Sequence, residues 1–146
     1  MKQPLAAAAL AALALAAAPV PTGGTAGGTP APVPDCGKAL VVQFVGAYRD
    51  AVLGEGPTGR TPSEIRALYL TPELNLRLDR WAGEHPAADP VFRGPAVPVR
   101  WSAACAGDAV DLTQYAADGR TRHVRYRVQL ADQYIDGLAD PGTPDR

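Results

Sequence analysis

Residues 121–130 read Thr-Arg-His-Val-Arg-Tyr-Arg-Val-Gln-Leu, and the fold turns on how this stretch is read. Val124, Tyr126, Val128 and Leu130 alternate with Arg125, Arg127 and Gln129, a period of two that describes a strand with one buried and one wetted face. A second run, Ala109 to Tyr115, precedes it across an Asp118-Gly119 turn, which predicts a β-hairpin. A two-residue loop would set Val110 against Arg127 and Leu112 against Arg125, mixing the apolar and charged sets. A three-residue loop, Ala117-Asp118-Gly119, is a type I turn followed by Gly in the left-handed conformation, and it pairs Leu112 with Val124 and Val110 with Tyr126. A slip of one residue would turn every side chain to the wrong face, so the three-residue loop is the expected one. It also sets Asp111 opposite Arg125 and Thr113 opposite His123, a polar outer face of mixed charge that reads as solvated sheet.

Upstream of the hairpin the pattern changes from two to 3.6. Ala39 to Leu53 places Val41, Phe44, Val45, Tyr48 and Val52 on one broad apolar stripe, with Asp35 as the expected N-cap and Gly54 as the stop. Thr61-Pro62-Ser63-Glu64 is a capping box with Pro at the first helical position, opening a short helix with Ile65, Leu68 and Tyr69 inside. Thr71-Pro72-Glu73 repeats the signal. Leu74, Leu78 and Trp81 then fit a helix, while Leu74, Leu76 and Leu78 also fit a strand; the N-terminal Pro and the charged content favour helix.

From Glu84 to Pro98, prolines at 86, 90, 95 and 98 break any regular element, and His85, Asp89, Phe92 and Arg93 are scattered through the break. A long irregular crossing in a small domain is more often functional than idle. Val99 to Ala103, carrying Trp101, reads as a short strand entering the sheet.

The beginning of the chain carries a different message. Lys2 is the only charge in residues 1–34, and Leu5 to Ala18 is an unbroken run of Ala and Leu, the core expected of a secretion signal. The run is shorter than the ~20 apolar residues of a membrane-spanning helix. Gly24 and Ala26 satisfy the small-residue rule for cleavage, giving a signal peptide at 1–26, a Pro- and Gly-rich linker at 27–35, a single domain at 36–140 and a flexible tail at 141–146. The expected location is therefore extracellular. Removing Lys2 leaves 13 basic against 15 acidic residues, since the 14 basic residues lose one and the 15 acidic ones lose none. That balance argues against nucleic acid as a partner, because such binding rests on clustered Lys and Arg. Two cysteines in an exported chain, Cys36 and Cys105, predict one disulfide pinning the entrance of the first helix to a turn before the hairpin.

Motifs for chemistry are sparse. His85 and Asp89 are four apart, but Pro86 lies between them and no third ligand has usual spacing, so no metal site is expected. Ser63 and Ser102 are the only serines, and neither stands in a nucleophile context. No glycine loop that could cradle a cofactor phosphate follows a strand.

Leu68-Tyr69-Leu70-Thr71-Pro72-Glu73-Leu74, then Asp89-Pro90-Val91-Phe92 and Val97-Pro98-Val99-Arg100-Trp101, followed by the closing hairpin, resemble small exported bacterial proteins of the cystatin-like or nuclear-transport-factor-like roll. The resemblance spans roughly Ala39 to Asp140 and implies an α+β fold, N-terminal helices packed on a curved antiparallel sheet, with a pocket at the open end of the cone. Enzymes of that roll carry acidic and His residues inside the cone; here Leu112, Val124, Tyr126 and Val128 are expected to point inward. The expectation is a non-catalytic domain without cofactor that binds a protein or small ligand through Trp81, Phe92, Arg93 and Trp101. The alternative is a small hydrolase or isomerase-like enzyme using His85, Asp89 and Arg93 in the cone pocket.

Overall fold

The computed structural model describes residues 35–140. The expected signal peptide, nearly all of the linker and the tail lie outside the described residues. Three helices precede four strands: α1 Lys38–Leu53, α2 Pro62–Tyr69, α3 Pro72–Glu84, β1 Arg100–Ala106, β2 Ala109–Tyr115, β3 Thr121–Gln129 and β4 Tyr134–Ala139. The strands form one antiparallel sheet in the order β1-β2-β3-β4, an α+β arrangement in which every strand pairs with its neighbour in sequence.

The hairpin adopts the three-residue loop. Leu112 faces Val124, Val110 faces Tyr126, Asp111 faces Arg125 and Thr113 faces His123. The Ala116 N–H donates to the Arg120 carbonyl at 2.9 Å, and Gly119 takes φ 82, the left-handed value that closes a type I turn onto a twisted pair of strands. On the outer face Arg125 grips Asp111 through both carboxylate oxygens, at 2.7 and 2.9 Å, and these hydrogen bonds hold the Asp111 carboxyl below its usual range. The register of β1 turns Trp101, Ala103 and Cys105 to the same face as Gln114, Leu112 and Val110. Against that inner face α1 buries Val41, Phe44, Val45 and Tyr48, with the Phe44 ring edge-on to Tyr126 at 6.4 Å.

In α3, Leu74 and Leu78 are buried while Leu76 is 65% exposed, which is helical and not strand periodicity. Leu68 does not point inward as expected: it is 48% exposed, and Leu70, just past the end of α2, is buried instead. The tertiary reason is that Leu70 forms a parallel bridge with Ile135 of β4, so the chain rotates the last apolar side chain of this turn onto the sheet. Asp35 is likewise not the cap of α1. Gly37 occupies that position, and Asp35 instead accepts a hydrogen bond from the Gly37 N–H at 2.9 Å. Gly37 sits at φ 77 with its Cα against Val128; a Cβ there would lie 2.6 Å from that side chain, so only glycine fits.

Cys36 and Cys105 are bonded, with Cα atoms 5.8 Å apart across a sequence separation of 69. Cys105 lies within β1, which runs from Arg100 to Ala106 and is longer than the expected Val99 to Ala103. The bond therefore ties the chain just before α1 to the edge strand of the sheet. The opposite edge, β4, is covered: the Thr71 N–H, Arg77 Nη2 and Arg93 Nη2 donate to the carbonyls of Ile135, Asp136 and Leu138. Among the described residues no helix is long and apolar enough to cross a membrane.

Candidate binding surface at the proline-rich crossing

The chain between α3 and β1, residues 85–99, has no helix or strand of its own, yet side chains of α1 and β3, together with its own Asp89 and Arg93, hold it. Asp89 is the central staple. Its Oδ1 accepts from the backbone N–H groups of Val91 and Phe92, both at 2.8 Å, and its Oδ2 accepts from the Tyr48 hydroxyl of α1 at 3.0 Å. Arg49 of α1 donates to the Pro98 carbonyl at 3.2 Å, Arg93 donates to the Leu138 carbonyl at 2.9 Å, and Arg122 of β3 donates to the Arg93 carbonyl. Asp89 and Gly94 also form an antiparallel bridge. An irregular segment fastened at so many points is preorganised, because little chain entropy remains to be lost when something docks on it.

Phe92, a candidate ligand contact, lies in the core. It is 1% exposed, with its ring edge-on to Tyr48 at 5.3 Å, because the turn held by Asp89 swings it inward. Arg93, next in sequence, takes φ 55, a left-handed conformation rare for a long side chain. That conformation lays its guanidinium over Trp81, 4.5 Å from the ring centroid, with Nε and Nη1 shielded from solvent. His85 stacks flat with the same indole, centroids 4.1 Å apart and planes 11° from parallel, with its Nδ1 2.9 Å from the Trp81 carbonyl. Trp81, His85 and Arg93 thus form one stacked cluster at the end of α3, in which His85 is exposed and Trp81 and Arg93 are half-buried. Trp101 does not join α3; it is half-buried on the inner face of β1, beside Gly46 of α1.

The set His85, Asp89 and Arg93 does not gather in a pocket. His85 is exposed, both oxygens of Asp89 are engaged by Tyr48 and the backbone, and Arg93 covers Trp81. Among the described residues no three His, Cys, Asp or Glu side chains come together as metal ligands.

Two phenols lie beneath the crossing. Burial, and then the neighbouring Asp89 carboxylate, push the Tyr48 hydroxyl well above the ordinary tyrosine range. Complete burial does the same for Tyr126, whose hydroxyl has no hydrogen-bond partner. An unpartnered buried hydroxyl costs about 1–3 kcal/mol. Tyr126→Phe is therefore expected to leave the melting temperature unchanged or to raise it. Tyr48→Phe, which takes a donor from Asp89, is expected to destabilise by about 1 kcal/mol. Calorimetry of the two variants side by side decides this, and a Tyr126→Phe protein that melts as low as Tyr48→Phe would refute it.

At the other end of the crossing a small cleft of about 30 Å3 opens between the loop and the sheet. Gly94, Pro95, Ala96 and Pro98 form one wall, and Gln114 and Arg122 form the other. These last two are direct cross-strand partners on the inner face. Gln114 is only 4% exposed and its Nε2 has no hydrogen-bond partner. The Arg122 guanidinium lies against Gly94, where a Cβ would come within 2.7 Å of it. Neither residue was singled out from the sequence, although the signal was there. Gln114 follows Val110 and Leu112, and Arg122 precedes Val124 and Tyr126, at the inward parity of their strands, so two polar residues interrupt the apolar alternation at the same level.

The fold and the site together define an α+β domain of three helices and a four-stranded antiparallel meander, with a stapled irregular crossing over the end of its sheet. No family model, no curated protein and no solved structure matches the chain.

Proposed function

We propose that this chain is an exported, non-catalytic binding domain and that its ligand-facing surface is the crossing from Glu84 to Pro98. The observation that carries the reading is the fastening of that segment. Three protein donors on Asp89, together with Arg49, Arg93 and Arg122, hold a stretch that forms no regular element and covers only part of the core. Such investment in a loop's shape fits a recognition surface, where rigidity limits the entropy lost on docking. The stacked Trp81, Arg93 and His85 supply the residue types that anchor interfaces. Phe92 has no part in this surface, and Trp101 serves the packing of α1 on β1.

Export rests on the apolar run from Leu5 to Ala18 and on the Cys36–Cys105 bond, which persists in oxidising surroundings. In this reading the layer is a roll of the cystatin-like or nuclear-transport-factor-like kind, supported by the helices-first order, the meander and the register shift between Arg127 and Val128 that bends the β3–β4 pair. The test is a pull-down from the source culture with two immobilised baits, the native chain and His85→Glu. A protein retained by the first and lost with the second, at equal melting temperature, is the expected result. Equal retention by both baits, or turnover of any substrate that disappears on replacing His85, would overturn the reading.

A further inference from the structure

We infer that the cleft between Gly94–Pro98 and the Gln114–Arg122 pair is a carboxylate-binding site. The inference deepens the reading of the crossing as a binding surface and rests on it. It begins with a polar pair in an apolar place. Gln114 and Arg122 face each other across β2 and β3 on the side of the sheet that otherwise carries Val110, Leu112, Val124 and Tyr126. A buried amide with no partner for its Nε2 is a cost that packing alone does not explain, and a ligand oxygen is an acceptor that would remove it. The last torsion of a glutamine is broad, so the amide can turn its NH2 toward the cleft without leaving a favoured rotamer.

Arg122 supplies the charge. Among the described residues it takes part in no ion pair, and only its Nη1 is engaged, on the Arg93 carbonyl. Its Nε and Nη2 remain as two parallel donors, the geometry that matches a planar carboxylate. Gly94 is what lets the guanidinium lie flat at the mouth, since a side chain there would displace it. Arg120, also at the mouth, is already paired with Asp118 at 2.6 Å and is not needed. No acidic side chain lines the cleft.

Size narrows the class of ligand. One water-sized group needs about 10–15 Å3 of such space. The cleft's volume of about 30 Å3 is therefore room for the two oxygens of a carboxylate. Beside the donors, Pro95, Ala96 and Pro98 offer apolar surface to the carbon attached to the carboxylate. Two sources present this chemistry, a free small organic acid and the C-terminus of a peptide.

The test is a titration of the 15N-labelled chain, following the Arg122 Nε–H and Gln114 Nε2–H2 resonances. The probes are acetate, an N-acetylated trialanine with a free C-terminus, the same peptide amidated, and inorganic phosphate. Saturable shifts of both resonances are expected with the two carboxylates, and affinity at least tenfold weaker with the amide and with phosphate. A peptide that binds far more tightly than acetate identifies a chain terminus as the source; equal affinity identifies a free acid. Arg122→Gln should weaken binding roughly ten- to hundredfold, the scale of a charge-assisted bidentate contact. Gln114→Leu should also weaken it while leaving the melting temperature unchanged or higher, which keeps the result separate from misfolding. If the amidated peptide shifts the two resonances as strongly as the free acid, the carboxylate assignment fails and the crossing as a binding surface stands. If no probe gives a saturable shift, or Arg122→Gln binds acetate as the native chain does, the inference is overturned. The wider reading is decided independently by the His85→Glu bait.

Discussion

Reducing the Cys36–Cys105 bond is expected to lower the melting temperature by roughly 15–30 °C. The closed loop spans a sequence separation of 69, for which the chain-entropy account assigns about 4 kcal/mol of destabilisation to the opened chain. In a domain whose total stability is on the order of 5–15 kcal/mol, that is a decisive share. The placement adds to the effect. Cys36 is buried immediately before Gly37, which is pressed on Val128 of β3, and α1 begins at Lys38. Opening the bond frees the point at which the main helix enters the core. Thermal scans with and without reductant, and of Cys36→Ala/Cys105→Ala, measure it. A drop of only a few degrees would mean that α1 is held on the sheet by packing alone.

Phe92→Ala is expected to cost about 3–5 kcal/mol, the usual range for removing a buried phenyl ring. The ring is fully enclosed in the core and packs against Tyr48, so its loss leaves a cavity under the crossing and loosens the staple that Asp89 makes to the same tyrosine. Arg93→Ala should cost much less stability. Its guanidinium packs on Trp81 and bonds one carbonyl of β4, so its removal costs one stacking contact and one hydrogen bond rather than a core ring, and unsettles Trp81 in partner binding. Denaturant unfolding of the two single variants checks the contrast. If Phe92→Ala unfolds at nearly the native midpoint, the side chain does not carry the core beneath the crossing. The contrast also explains why one substitution of both residues would be uninformative, since it would mix a folding defect with a binding one. A surface change such as His85→Glu isolates the binding term.

The local elements of this fold were legible because each carries its own physics within a few residues. The alternation from Val124 to Val128 and the apolar–charged conflict in the shorter loop together determined the hairpin register, down to Asp111 facing Arg125. Thr61 and Thr71, each followed by proline, marked the starts of α2 and α3, and Gly54 marked the end of α1. The cysteine pair followed from its number and setting. What only the tertiary structure decided are contacts between segments far apart in the chain. Leu70 displaced Leu68 as the buried residue because a bridge to Ile135, which no local period encodes, turns the chain there. Phe92 and Arg93 are adjacent and both of a type that anchors interfaces, yet the staple from Asp89 to Tyr48, 41 residues away, sends one into the core and the other over Trp81. The cleft shows both sides. Gln114 and Arg122 announced themselves as breaks in an inward pattern, but their meaning depends on Gly94 being laid against Arg122 by a segment 29 residues from it in sequence. Short-range periodicity is a property of neighbouring dihedrals and faces; a site assembled from a loop and a distant strand exists only once the core has brought them together.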